Sequence, residues 1–473
     1  MRHLLFNYLL VKRAYRYLEQ YVTLFSDFDA VFPIRQQVLR YYYEADYTRV
    51  ISLLEQHRAH LSSRFVVEYL ALAYFMKNQN AEALKTLSAS SSSSHLNGLK
   101  ERIQAVDYFN AQNNPSRQRI AHVAWHYLAD HSGNAGDKLL PETVQKVIRF
   151  DKPDLVFDRY HVHQHIDQKQ VDLLNEYAGI VIGGGGLVYP ASAPSFQSGW
   201  QWNISLENLK ALKVPIAFFA VGYNSFRDKV PGSRKMIEHL TLCAEKSNYL
   251  GFRHLSDVRI VQTFLPEALT NKIRYQPCPT TLLKHLYPTI TKQGKEPFIS
   301  LNFAYDRFDE RFKGYYKNIL GAMAKVIQRL SPTIEFMYYA HSPGDKIFVK
   351  HLKRAYDINM PCLEMYTLTP EEIIKAYRTP YLSLGMRGHA GLIPFGAGTI
   401  PLGLVAHRKV SAFFEDIEKP DLALDIHAHN FANVLEQKIR ESLEKRLSLE
   451  EALLEKQHQM WKLTRQNVAQ LNF

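Results

Sequence analysis

Several short segments of this chain combine glycine, arginine, histidine and carboxylate at spacings that can do chemistry. In Ser132-Gly133-Asn134-Ala135-Gly136-Asp137, glycines follow an apolar run that ends near Tyr127. A strand, a glycine turn and a helix start together point backbone N–H groups at an anion. Asn134 and Asp137 then either orient the turn or hydrogen-bond a sugar, although such turns also serve as plain connectors. In Ile182-Gly183-Gly184-Gly185-Gly186-Leu187 the glycine run permits positive φ and close backbone approach to a ligand. It lacks both the Lys-Ser/Thr of a phosphate-binding P-loop and the GxGxxG frame of a dinucleotide site. A tight turn between packed layers is the alternative.

Gly251-Phe252-Arg253-His254-Leu255-Ser256-Asp257 sets an arginine where a strand passes into a helix. Its planar fork suits a carboxylate or phosphate, or a surface ion pair. In Ser383-Leu384-Gly385-Met386-Arg387-Gly388-His389-Ala390-Gly391, Arg387 and His389 stand two apart at a similar passage. Arg387 would hold an anion while His389 transfers a proton near neutral pH. Tyr339-Ala340-His341-Ser342-Pro343-Gly344-Asp345 offers His341 and Asp345 to the same cleft, with His341 as a loop cap the alternative. His161-Val162-His163-Gln164-His165 has no carboxylate–cysteine set beside it. Its alternation reads as the polar face of a strand, and no metal site is expected.

These segments need elements to hold them. After residue 117, short apolar runs alternate with helical stretches: 120–126, 179–182, 215–221 and 249–252, then 297–303, 333–339, 381–384 and 399–404. Continuous apolar strands between helices predict parallel sheets covered on both faces. Two such α/β halves, 116–280 and 281–425, would enclose a cleft beyond the carboxyl ends of their strands. Residues 1–115 read as helix after helix, and 426–473 as charged helices packing across a domain. Aligning Asp46 with Asn80 gives the 34-residue tetratricopeptide period; a plain helical bundle is the alternative. Serines 90–94 and Asn113-Asn114-Pro115-Ser116 read as loops, with the boundary at the second.

Of the chain's 473 residues, 46% are hydrophobic and 22% charged, a globular balance. The net charge of +12 favours anionic partners, but no long block of like charge suggests a nucleic-acid tail. Three scattered cysteines suit a reducing compartment. No stretch reaches the roughly 20 apolar residues of a membrane span, so a cytoplasmic protein is expected. Arg2, Lys12, Arg13 and Arg16 among the apolar residues of 1–22 suit either an anionic inner-membrane surface or helix-on-helix packing.

Taken in order, the strand-end motifs resemble the polysaccharide pyruvyl transferase family across roughly residues 120–420. The resemblance runs through Gly133, Asn134, Gly136 and Asp137, the run Gly183 to Gly186, Arg253 with Ser256, His341 with Asp345, and Arg387 with His389. Val405-Ala406-His407-Arg408-Lys409 resembles the family's last strand and its lysine. The resemblance implies two Rossmann-like domains in a GT-B-like arrangement, with the helical module added in front. It implies phosphoenolpyruvate as donor, no further cofactor, and a pyruvate ketal on a surface glycan or lipid-linked precursor as product. Arg387 and Arg253, with the N–H groups of Gly184, Gly185 and Gly186, would bind the donor. His389 would move the proton, Asp137 or His341 would act as base, and Asn134 and Asp345 would meet the acceptor. The helical module would meet a protein partner or the membrane. Gly385 and Gly388 near the Arg-x-His pair, and Cys278-Pro279 for the usual Asp-Pro, depart from the pattern and leave the acceptor pocket's shape open. A nucleotide-sugar glycosyltransferase and a non-catalytic scaffold of glycan assembly are the competing readings.

Overall fold

A computed structural model describes residues 31–89, 93–111, 118–125, 134–189, 195–224, 232–290 and 294–473. The basic stretch 1–22, the loop 113–116, most of the serine run, and Ser132 with Gly133 lie outside the described residues.

The described N-terminal region is helical. Helices Val31–Tyr43 and Tyr47–Gln56 form one pair, and Ser63–Met76 and Asn80–Ser88 a second. The two pairs recur at an offset of 33, one less than the sequence alignment gave. Ala45 and Asn78, both at φ 59°, turn the chain between the helices of each pair. That register sets buried Val38 on Ala71, Val50 on Ala83 and Leu54 on Leu87. The 34-residue alignment put Val50 on Leu84 instead, which lies only partly buried at the edge of this core.

Two six-stranded parallel sheets follow. The first has the order β2-β1-β3-β4-β5-β6, from β1 (Gln118–Ala124), β2 (Leu155–His161), β3 (Gly179–Val188), β4 (Ile216–Tyr223), β5 (Ser247–Phe252) and β6 (Ile273–Tyr275). The second has the order β12-β11-β10-β7-β8-β9, from β7 (Glu296–Asn302), β8 (Glu335–Ala340), β9 (Cys362–Glu364), β10 (Pro380–Gly385), β11 (Ile400–Val405) and β12 (Ala423–Asp425). Helices on both faces bury the central strands, and every residue of β4 is buried. The histidine-rich segment is a correction: β2 ends at His161, and 162–165 is a loop.

The two halves share a core. Helix Ala135–Asp151 buries Leu139, Leu140 and Val144 in one cluster with Val181 of the first sheet and Leu283, Ile393 and Leu402 of the second half. At the end of the chain, helix Arg446–Ala469 runs back from the second half to the first. Its Gln457 donates to the carbonyls of Phe395 (3.0 Å) and Thr281 (2.8 Å). Asn467 donates to Tyr275 O at the end of β6 at 3.0 Å, and Arg465 pairs with Asp151 at 2.6 Å. The helix therefore staples the sheets together rather than covering one domain.

Candidate active site

The carboxyl ends of β3, β4 and β5 face those of β7, β10 and β11 across a cavity of about 250 Å³. Asn134, Asp137, Gly186, Arg253, Arg387 and His389, all read from sequence, line it together with Lys409, Asp306, Arg307 and Arg311.

Asn134 caps helix Ala135–Asp151. Its Oδ1 accepts from the N–H groups of Gly136 (2.9 Å) and Asp137 (3.2 Å), and its Nδ2 donates to the Asp137 carboxylate. Asp137 is thereby fixed at the rim. Burial raises its carboxyl above the usual range, against the pull of Lys409, Arg387 and Arg253.

The glycine run is not a loop but the outer half of β3. Gly184 and Gly185 take φ of 80° and 151°, which bends the strand and breaks its register with β4. Gly183 lies flat on the backbone of Phe219, and a side chain on Gly184 would meet Val144 at 3.0 Å. Of the three glycines expected at the donor, Gly186 reaches the cavity, where a side chain would strike Asn224 and Lys409; Gly184 and Gly185 shape the strand behind it.

Arg253 follows β5 and is 1% exposed, yet its Nε and one Nη have no hydrogen-bond partner among the described residues. Gly222 leaves the space for it, since a Cβ there would lie 2.6 Å from the guanidinium. A buried unpaired guanidinium costs stability unless a ligand completes it. Lys409 stands beside it at the start of helix Arg408–Asp416, donating to Asn224 Oδ1 at 2.7 Å. Burial and the charge of Arg253 push the Lys409 amine down to about 7, despite Asp257 and Asp137 nearby. His389 opens helix His389–Ala397 with its ring against Gly136 and its Nε2 4.0 Å from Cys278 Sγ. Burial, then Arg253 and Lys409, hold the imidazole well below its usual value, so it is neutral at pH 7. His254 binds Asp416 at 2.6 Å and ties the end of β5 to the second half.

Arg387, expected at the donor, lines the cavity and is paired with carboxylates. Its Nε and one Nη form a fork on Asp345 (2.9 and 2.6 Å), and the other Nη pairs with Asp306 at 2.8 Å. Two carboxylates already neutralise it. Burial favours a neutral Asp306, but Arg387 and Arg311 outweigh it and hold that carboxyl at about 2. Asp345, expected at the acceptor, is fully buried behind Arg387 and also accepts from the backbone of His341 and Ser342. His341, expected as a base, is likewise buried behind the cavity, bonded to Tyr377. Its carbonyl accepts from Ala135 N at 3.2 Å, which fixes the capped helix against the second half. Burial and Arg387 hold its ring neutral, at about 3. Asp345→Ala would strand a buried guanidinium and is expected to cost about 3–5 kcal/mol, read by urea unfolding.

Sequence reasoning passed over Asp306, Arg307 and Arg311, and met Lys409 only through the family resemblance. Asp306 and Arg307 follow β7 closely, so the strand-end rule could have found them; no glycine marks that turn.

A family profile for polysaccharide pyruvyl transferase matches residues 134–404, more than half of the chain. The chain belongs to the polysaccharide pyruvyl transferase family. The matched span carries Asn134, Asp137, Gly186, Arg253, Arg387 and His389, and Lys409 lies just beyond it. Comparison with curated proteins finds no match. Among solved structures, a Thermobaculum terrenum O-GlcNAc transferase mutant is similar at 12% identity and TM-score 0.42, over 99% of this chain and 96% of that one. UDP-GlcNAc 2-epimerase from Neisseria meningitidis is similar at 9% identity and TM-score 0.44, over 75% and 100%. The Methanocaldococcus jannaschii UDP-GlcNAc 2-epimerase follows at 13% and 0.42, over 68% and 92%.

Proposed function

We propose that the cavity binds phosphoenolpyruvate and forms a pyruvate ketal on two hydroxyls of a glycan. The observation that carries this reading is Arg253, a buried guanidinium with unpaired nitrogens facing a cavity it shares with Lys409 and His389. That set matches a small, multiply charged donor. Arg387, already neutralised, acts as a framework residue that holds Asp306 and the loop of Asp345.

The reaction balances as follows. One proton goes to the donor's methylene carbon, which becomes the methyl group. Two sugar oxygens bond to C2, the C2–O bond to phosphate breaks, and the second hydroxyl proton leaves with phosphate or the base. His389 is the group placed to protonate the methylene. Neutral in the free protein, it becomes a stronger base when the trianion offsets Arg253 and Lys409, and so gains a proton as the donor binds. Asp137, with its raised carboxyl at the rim, is placed to take the sugar proton. Such proton transfers are worth about 10²–10⁴-fold.

Lys409 makes donor binding pH-dependent with a definite sign. Its amine, at about 7, is charged below that pH and neutral above it. Donor affinity is therefore expected to fall as pH rises through 7. At pH 8, binding should take up protons, giving different calorimetric enthalpies in buffers of different ionisation enthalpy. Lys409→Arg, charged throughout, should show a smaller uptake; equal uptake would remove Lys409 from the donor site.

A further inference from the structure

We propose that Trp125, backed by His161 and His163, is the platform on which the acceptor sugar stacks, and that the N-terminal helices hold this platform in place. The proposal rests on the pyruvyl transfer reading for its occupant. Trp125 directly follows β1 and is 36% exposed, whereas both histidines are 7% exposed. The indole lies 4.9 Å from each imidazole, and the two imidazoles lie 5.5 Å apart. An aromatic ring fixed by its neighbours while still open to solvent suits the apolar face of a pyranose, with ring hydroxyls left for polar groups beside it.

The histidines supply those groups without charge. Burial holds His163 down to about 4, and burial with His163 holds His161 well below its usual value. His161 Nδ1 accepts from the His163 backbone N–H at 3.1 Å, so the proton of the neutral ring sits on Nε2. His163 Nε2 faces Gln201 Oε1 at 2.7 Å, which leaves its Nδ1 as an acceptor. Among the described residues neither nitrogen has a further hydrogen bond, which leaves one donor and one acceptor for a sugar hydroxyl pair. The donor cavity is cationic; the two imidazoles of the platform are neutral. The two are joined: Gln201 N donates at 3.3 Å to Leu187 O, next to cavity-lining Gly186.

The loop carrying His163 is held from outside. His165 N donates to Met76 O at 2.8 Å, and Asn78, at the turn of the second helical pair, donates to His165 O at 2.9 Å. Gln164 bonds Asn78 Oδ1 at 3.2 Å and accepts from His161 N at 2.6 Å. A role thus falls to helices that lie outside the family match.

The test titrates the producing cell's own glycan, its ketals removed by mild acid, into the protein by calorimetry without phosphoenolpyruvate. Trp125→Ala is expected to weaken binding at least about 10-fold, and Trp125→Phe to retain most of it. Asn78→Ala should weaken the glycan in the same direction. Thermal stabilisation by phosphoenolpyruvate should be unchanged in all three. Unchanged glycan affinity in Trp125→Ala, or no glycan binding by the unaltered protein, overturns the platform. Unchanged affinity in Asn78→Ala removes the helices from it. Glycan binding that depends on Trp125 in a protein that phosphoenolpyruvate does not stabilise upholds the platform and sinks the donor reading instead.

Discussion

Replacing Arg253 with methionine is expected to abolish donor binding while leaving the free protein as stable as before, or more so. The guanidinium is 1% exposed, with two nitrogens unsatisfied among the described residues. Each charge-assisted hydrogen bond is worth about 1.5–3 kcal/mol, so two lost to the donor cost about 3–6 kcal/mol. That is about 10²–10⁴-fold in donor affinity. A residue serving only the fold would behave in the opposite way. An unsatisfied buried donor carries a desolvation penalty of about 1–3 kcal/mol, which methionine relieves. The paired measurement is urea unfolding of the free protein, with thermal stabilisation by phosphoenolpyruvate beside it. Lost stability with donor binding intact would make Arg253 structural and move the anion site elsewhere.

The second large effect is expected at His389. Changing it to glutamine preserves the contacts with Gly136 and Cys278 but cannot shuttle a proton. Turnover should fall by about 10²–10⁴-fold, the usual worth of a positioned acid or base. Donor-induced stabilisation should fall far less than turnover, because the standing positive charges lie on Arg253 and Lys409. Equal losses in turnover and donor affinity would make His389 a binding residue, and unchanged turnover would remove it from the chemistry.

Apolar runs revealed eight of the twelve strands among the described residues because parallel strands buried on both faces need nothing else. β2 escaped because Asp158 and Arg159 interrupt its pattern. Buried Asp158 is met by Arg119 (2.5 Å) and the Tyr177 hydroxyl (2.6 Å), partners 39 and 19 positions away. β6, β9 and β12 are three residues each, too short for a period to register. The glycine run read as a loop because glycine disfavours strands; here it lets β3 pass against Phe219 and continue to the cavity.

The site was legible in residue types and less so in roles. Arg253, His389, Asp137 and Gly186 do meet at one cavity: Arg253 and His389 follow strands, Gly186 lies near the end of β3, and Asp137 opens a helix. Arg387 and Asp345 looked like separate ligand-binding groups, yet they hold each other across 42 positions, a pairing that spacing cannot announce. Lys409 carries no local signal either: its lowered amine comes from burial beside Arg253, a neighbour from the other half of the chain.

The central claim is the donor and its fate. The most direct measurement incubates the protein with phosphoenolpyruvate and the deketalised glycan, following inorganic phosphate and the new ketal methyl group by NMR. Phosphate and ketal appearing in equal amounts, only when both substrates are present, is the predicted result. Inert phosphoenolpyruvate, with a nucleoside diphosphate released from UDP- or GDP-sugars on the same glycan, would contradict it and make the cavity a glycosyltransferase site.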